Sequence, residues 1–225
     1  MKKTILSLLC ALTLLACCLP AFAEEETLYE ADGFRYLLLE DGSAVLVEYI
    51  SDATSRRQPD AAIKSVVINK RIDRHPIVDL RQNPFYVPEE DFTQMIAPAV
   101  MIGHQTLDTV DGVLFVIASH KLSAYPVFLE PDLYEVPADT LIIGAYAFAC
   151  NPHLAKIVLP EGLTAIETGA FRNCASLVSV NIPASVTEIA ADAFEGCSAE
   201  LNLTVAAGSY AEAFCTENGI AFTSK

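Results

Sequence analysis

Cys174 and Cys197 end two nearly identical lines, "GLTAIETGAFRNC" and "SVTEIAADAFEGC", 23 residues apart. Cys150 and Cys215 flank them. Thiols at a fixed spacing can serve three chemistries. A thiolate is a nucleophile where a base or positive charge lowers its pKa. Paired C-x-x-C motifs hold zinc, and two thiols in an oxidising compartment form a disulfide. The chain contains no C-x-x-C. Its histidines (His75, His104, His120 and His153) occupy separate segments, with no pair at i,i+3 or i,i+4 to share a metal. No G-x-S-x-G, H-E-x-x-H, P-loop, Gly-rich dinucleotide turn or calcium loop occurs. The acidic runs Glu24–Glu26 and Glu89–Asp91 read as solvated surface. These residues indicate no catalytic, cofactor or metal site, so the cysteine spacing must be explained by the element that carries it.

That element is a repeat. In "IGAYAFACNPHLAKIVLP", "IETGAFRNCASLVSVNIP" and "IAADAFEGCSAELNLTV" the apolar columns hold register at a 23-residue period. Ile143, Ile166 and Ile189 align, as do Phe148, Phe171 and Phe194. Ile157, Val180 and Leu203 follow, then Leu159, Ile182 and Val205; Pro160 and Pro183 close the first two units. A period of 20–29 residues with L-x-x-I/V-x-L/I is the mark of a leucine-rich solenoid. The alternation in "LAKIVLP" and "LVSVNIP" predicts short strands with every second residue inward. Successive strands then pair in parallel, and stacking buries what one unit cannot. The Ala-Phe element predicts a short helical or 3₁₀ turn on the opposite side, its Phe filling the layer between. Cys174 and Cys197 share a column with Asn151, so they read as small buried turn residues. A Cys174–Cys197 bridge is the alternative.

The line "AIETGAFRNCASLVSVNIPASVTEIAADAFEGC" resembles the BspA-type leucine-rich repeats of bacterial surface and secreted proteins. The resemblance is tight over 139–205 and loose over 24–138. "DGFRYLLLEDGSAVLVEYI" resembles the family's N-terminal hairpin, turning at Asp41-Gly42. "IKSVVINKRIDRHPIVDLRQNPF" resembles a lead-in unit, with Leu80 and Phe85 at the same offset as Ile143 and Phe148. Val110 to Pro126 resembles a hairpin insert, and "AGSYAEAFCTENGIAF" a closing helix, with Ser209 and Glu212 as a capping box and Gly219 as its stop. The expected fold is a β-rich α/β solenoid. Its expected divisions are a signal peptide at 1–23, an N-terminal β-hairpin region at 24–57, irregular repeats at 58–138, regular repeats at 139–205 and a cap at 206–225.

The N-terminus bears on location. Lys2 and Lys3, an apolar run from Ile5 to Leu19 and the A-x-A site Ala21-Phe22-Ala23 have the layout of a secretory signal peptide cut after Ala23. "LLAC" at Leu14 to Cys17 also resembles a lipoprotein box; in that alternative Cys17 carries a lipid anchor. Loss of Lys2 and Lys3 with the leader takes the formal net charge from −15 to −17. Such acidity disfavours nucleic acid and anionic lipid as partners, and no membrane span is expected. What remains for function is the outer strand face: Lys156 and Val158, Ser179 and Asn181, Asn202 and Thr204. The family resemblance implies protein–protein contact or adhesion at a cell surface or with a host, without enzymatic activity or cofactor. Alternatives are a secreted enzyme with its site in 81–138 and a structural envelope lipoprotein.

Overall fold

A unit whose apolar residues lie on one side can bury them only against a translated copy of itself, and the chain does this four times. In the computed structural model, residues 2–4, 27–31, 34–49, 66–82, 99–102, 106–127 and 129–225 are described. Two parallel ladders run along the repeat region. One pairs Leu133–Glu135, Lys156–Val158, Ser179–Asn181, Asn202–Val205 and Phe222–Ser224. The other pairs Lys121–Ala124, Ile142–Ile143, Ala165–Ile166 and Glu188–Ile189. Lys156 faces Ser179 and Ser179 faces Asn202, so the period of 23 is the register itself.

Between the ladders lies the core. Ile157, Val180 and Leu203 point inward with Leu159, Ile182 and Val205, all buried. The phenylalanine column is continuous: Phe148 and Phe171 stack at 5.2 Å and 15°, Phe171 and Phe194 at 5.0 Å and 10°. Tyr125 stacks on Phe148 at 5.0 Å from one end, and Phe214 closes the other at 6.5 Å with its ring tilted 56°.

The Ala-Phe segment departs from the helical expectation. Ala147, Ala149 and Asn151 donate to the carbonyls of Gly144, Tyr146 and Phe148, three successive reverse turns. Tyr146 and Cys150 sit at φ +57 and +60, left-handed values that break any helical run. The intervening amides of Phe148 and Cys150 instead donate to Ala170 and Arg172 of the next rung, at 2.8 and 2.7 Å. The fold is therefore a β-solenoid of about four turns. The α/β class is corrected, because among the described residues only Tyr210–Asn218 is α-helical.

That helix seals the end of the stack. Ser209 accepts from the Glu212 amide at 3.3 Å, while Glu212 Oε2 accepts from the Gly208 amide at 2.6 Å, a reciprocal capping box. Gly219 ends it at φ +67, a conformation a Cβ would strain. Ala211, Phe214 and Cys215 face the last rung.

Upstream, the chain leaves the repeat pattern. Leu28–Ala31, Phe34–Leu38 and Ala44–Tyr49 form an antiparallel meander, and His75–Leu80 joins its edge in parallel with Arg71–Ile72 beyond. The pair expected as a hairpin, turning at 40–42, is thus part of a mixed sheet. Lys2–Thr4 lies against Leu28–Ala31; the rest of the expected leader, 1 and 5–23, falls outside the described residues, as does Phe85 of the expected lead-in unit. Val66–Asn69 and Ala99–Ile102 pair in parallel. Leu107–Val110 and Val113–Val116 form the insert hairpin, which leads antiparallel into Lys121–Ala124. The mixed sheet packs on this insert through Tyr36, Leu46, Ile72 and Leu80 against Leu107, Leu114 and Val116. Two polar links fix the seam. The buried Lys121 Nζ donates to the Leu80 carbonyl at 2.9 Å, 3.1 Å from Asp79 Oδ1, and Thr106 Oγ1 donates to the Ile77 carbonyl at 2.7 Å.

Candidate functional site

In a strand the residues flanking an inward one must point out, so the inward run Ile157, Val180, Leu203 leaves two outward columns. Leu133, Lys156, Ser179 and Asn202 make one; Glu135, Val158, Asn181, Thr204 and Thr223 make the other. The six residues expected from the sequence, Lys156, Val158, Ser179, Asn181, Asn202 and Thr204, therefore lie on one face, about 4.8 Å apart along each column. Lys156 and Val158 are exposed and the other four half-buried. Thr223 Oγ1 donates to Asn202 Oδ1 at 2.9 Å, fixing the polar end of the face. The other end is more apolar, with Leu133 at 45% and Val158 at 41% exposure.

Two members of this face, Leu133 and Glu135, escape a reading that starts the regular repeats at 139. The signal was present: Tyr134, Val136 and Pro137 stand 23 residues before Ile157, Leu159 and Pro160. Thr223 had no such signal, because the last strand follows the helix at a different spacing.

Elsewhere the reactive residue types are held by structural contacts. His75 Nδ1 lies 2.8 Å from the Gly42 carbonyl, His120 and His153 are exposed in separate turns, and His104 falls outside the described residues. Among the described residues, no three His, Cys, Asp or Glu side chains come together to hold a metal. In the described part of 81–138, Tyr125 and Tyr134 pack edge to face at 4.7 Å. Burial pushes the Tyr125 hydroxyl up to about 12 and raises Tyr134 further, so both stay neutral phenols.

The cysteine column is internal. The Cys174 thiol donates to the Phe148 carbonyl at 3.1 Å and the Cys197 thiol to the Phe171 carbonyl at 3.0 Å, each reaching back one rung. Asn151 fills the same place in the preceding unit, its Oδ1 accepting from the His153 and Leu154 amides at 2.9 Å each. Cys150, Cys174, Cys197 and Cys215 are all free thiols. Burial pushes Cys150 up and Cys215 up to about 11. Arg172 ties adjacent rungs at the surface, 2.9 Å from Glu195 and 3.8 Å from Asp192. Among the described residues, no helix is long and apolar enough to cross a membrane.

The family match agrees with this architecture. Residues 134–209 match the model of the BspA type leucine rich repeat region in six copies. A leucine-rich repeat protein from Eubacterium ventriosum superposes with a TM-score of 0.51 at 20% identity, over 64% of this chain and 37% of that one. The pneumococcal vaccine antigen PcpA gives 0.42 at 20% identity, over 64% and 40%. A leucine rich cell surface protein from Faecalibacterium prausnitzii gives 0.40 at 15% identity, over 88% and 93%. The chain thus spans about two fifths of the length of the first two. No curated protein sequence matches it. A 23-residue register, a stacked phenylalanine column and the family match converge on one conclusion: residues 134–209 are a BspA-type leucine-rich repeat region.

Proposed function

We propose that this chain is an exported, non-enzymatic repeat protein that offers its outward sheet face to a protein partner, in contact or adhesion at a cell surface or with a host. The observation that carries this reading is the five-strand face itself. Its two columns are held in register by backbone ladders on both sides, so a partner would meet side chains already in place. Association then loses little freedom beyond that of docking. The face grades from apolar at Leu133 and Val158 to amide and hydroxyl groups at Asn181, Asn202 and Thr204, a mixture that suits a protein surface better than a charged polymer. The leader motif supports export, and the acidity of the chain favours neutral or basic partners.

The test is binding of the purified chain to immobilised bacterial-surface and host-matrix extracts, alongside a Lys156→Glu, Ser179→Arg, Asn181→Arg variant. All three positions are outward, so the variant keeps the fold, which circular dichroism would verify. Saturable binding lost at least tenfold in the variant is the expected result. Equal binding by both proteins would refute the face, and no binding by either would refute the adhesive role.

A further inference from the structure

The repeat that buries Cys174 and Cys197 also sets them side by side. The amide of Ser198 donates to the Cys174 carbonyl at 3.3 Å, so the two cysteines sit opposite each other across one rung boundary. Neighbouring rungs run about 4.8 Å apart, within the Cα separation that a disulfide tolerates, roughly 4.4–6.8 Å. Both thiols point the same way, toward the carbonyls of Phe148 and Phe171. These carbonyls also accept backbone amides, from Asn151 and Cys174, so neither is orphaned if the thiol turns away. Cys150 belongs to a different column. Its residue has left-handed φ, and its thiol interacts with the Asn173 side chain. Cys215 is held in the closing helix.

The two members of the pair differ in a way that suits stepwise oxidation. Cys174 is 1% exposed, whereas Cys197 in the next rung is partly open to solvent. The neighbouring Cys174 side chain lowers the pKa of Cys197, while the same proximity, with burial, raises Cys174. The outer sulfur is thus the better thiolate, and the inner one keeps its proton in the adjacent rung.

We propose that Cys174 and Cys197 are a redox pair that closes into a rung-to-rung disulfide when the chain meets a small-molecule disulfide oxidant. The Cys197 thiolate attacks one sulfur of the oxidant, forming a mixed disulfide and releasing one thiolate. Cys174 then loses its proton and attacks the Cys197 sulfur, which expels the second thiolate. Two protons pass to the two leaving thiolates. The protein dithiol is oxidised by two electrons and the oxidant is reduced to two thiols.

The experiment incubates the full chain with oxidised glutathione, alkylates remaining thiols in denaturant and maps peptides by mass spectrometry without reduction. The expected product is a single cross-link between the Cys174 and Cys197 peptides, with Cys150 and Cys215 alkylated. Dithiothreitol should reverse it, and the thermal midpoint should rise on oxidation and return on reduction. Cys174→Ser should stop the reaction at a glutathione adduct on Cys197, since the outer thiol keeps its access but loses its resolving partner. The Cys150→Ser chain should cross-link as the native one does. Absence of the 174–197 peptide from the native chain, or a cross-link through Cys150 or Cys215 instead, would overturn the proposal. So would a stable glutathione adduct on native Cys197.

Discussion

Replacing Phe171 by alanine tests the stack at its centre. The ring is wholly buried, with Phe148 5.2 Å away on one side and Phe194 5.0 Å away on the other, both nearly parallel to it. Removing a buried Phe costs about 3–5 kcal/mol in lost transfer energy and cavity. Relaxation cannot close this cavity readily, because each flanking ring is fixed by its own rung's backbone ladders. Two aromatic pairs, worth about 0.5–1.5 kcal/mol each beyond area, are lost as well. The expected loss is therefore at the upper end, about 4–5 kcal/mol, out of the roughly 5–15 kcal/mol that a domain commonly has. Phe194→Ala removes the same atoms from a site 6% exposed, whose outer neighbour Phe214 is tilted and farther away. It should cost about 1 kcal/mol less. Urea unfolding followed by far-ultraviolet circular dichroism reads both. With a slope of about 2 kcal/mol/M the Phe171→Ala midpoint falls by roughly 2 M. A loss under about 2 kcal/mol, or a larger loss at Phe194, would refute the reasoning that the column is a close-packed stack strongest at its middle.

Two further outcomes are expected. Lys121→Met keeps the aliphatic stem but removes the ammonium from the Leu80 carbonyl, and should cost about 1–2 kcal/mol in the same unfolding assay; an unchanged midpoint would mean that the seam does not depend on this link. Glu212 has its pKa lowered in the folded state, first by the Gly208 amide and then by the Ser224 hydroxyl. Its contribution is therefore present above the ordinary glutamate value and is lost as pH falls through the lowered one. Thermal midpoints measured across that acid range should converge for the native chain and Glu212→Gln, with the native chain more stable at neutral pH. Parallel curves would refute it.

The repeat region was legible because translation makes it so. Every rung meets a copy of itself, so Phe148, Phe171 and Phe194 must be alike in size to stack, and this sameness is written into the sequence as a column. The same logic placed the six outward residues on one face. The Ala-Phe segment misled because its Ala-rich composition favours helix. Its amides instead find partners in the next rung, a long-range choice that propensity does not register. The strand Leu133–Glu135 was obscured by its tyrosine, which stands where later copies carry Ile, Val or Leu. Lys121 was unreadable for another reason. A lysine scores as surface in any sequence scale, and only the approach of the Leu80 carbonyl from a strand 41 residues earlier makes its burial tolerable. Long-range pairing of the kind that sets His75–Leu80 beside Ala44–Tyr49 leaves no periodic trace.

The separation of the stack from its seal has an evolutionary consequence. The helix closing the last rung takes no part in defining the register, and the mixed sheet upstream is joined through the insert hairpin. A duplication of the 23-residue unit Glu161–Pro183 would insert a whole turn, widen the face by about 4.8 Å and leave both ends untouched. Growth by a fixed quantum is thus open to this chain at little structural risk, and the reach of its contact face is a quantity that selection can lengthen or shorten one step at a time.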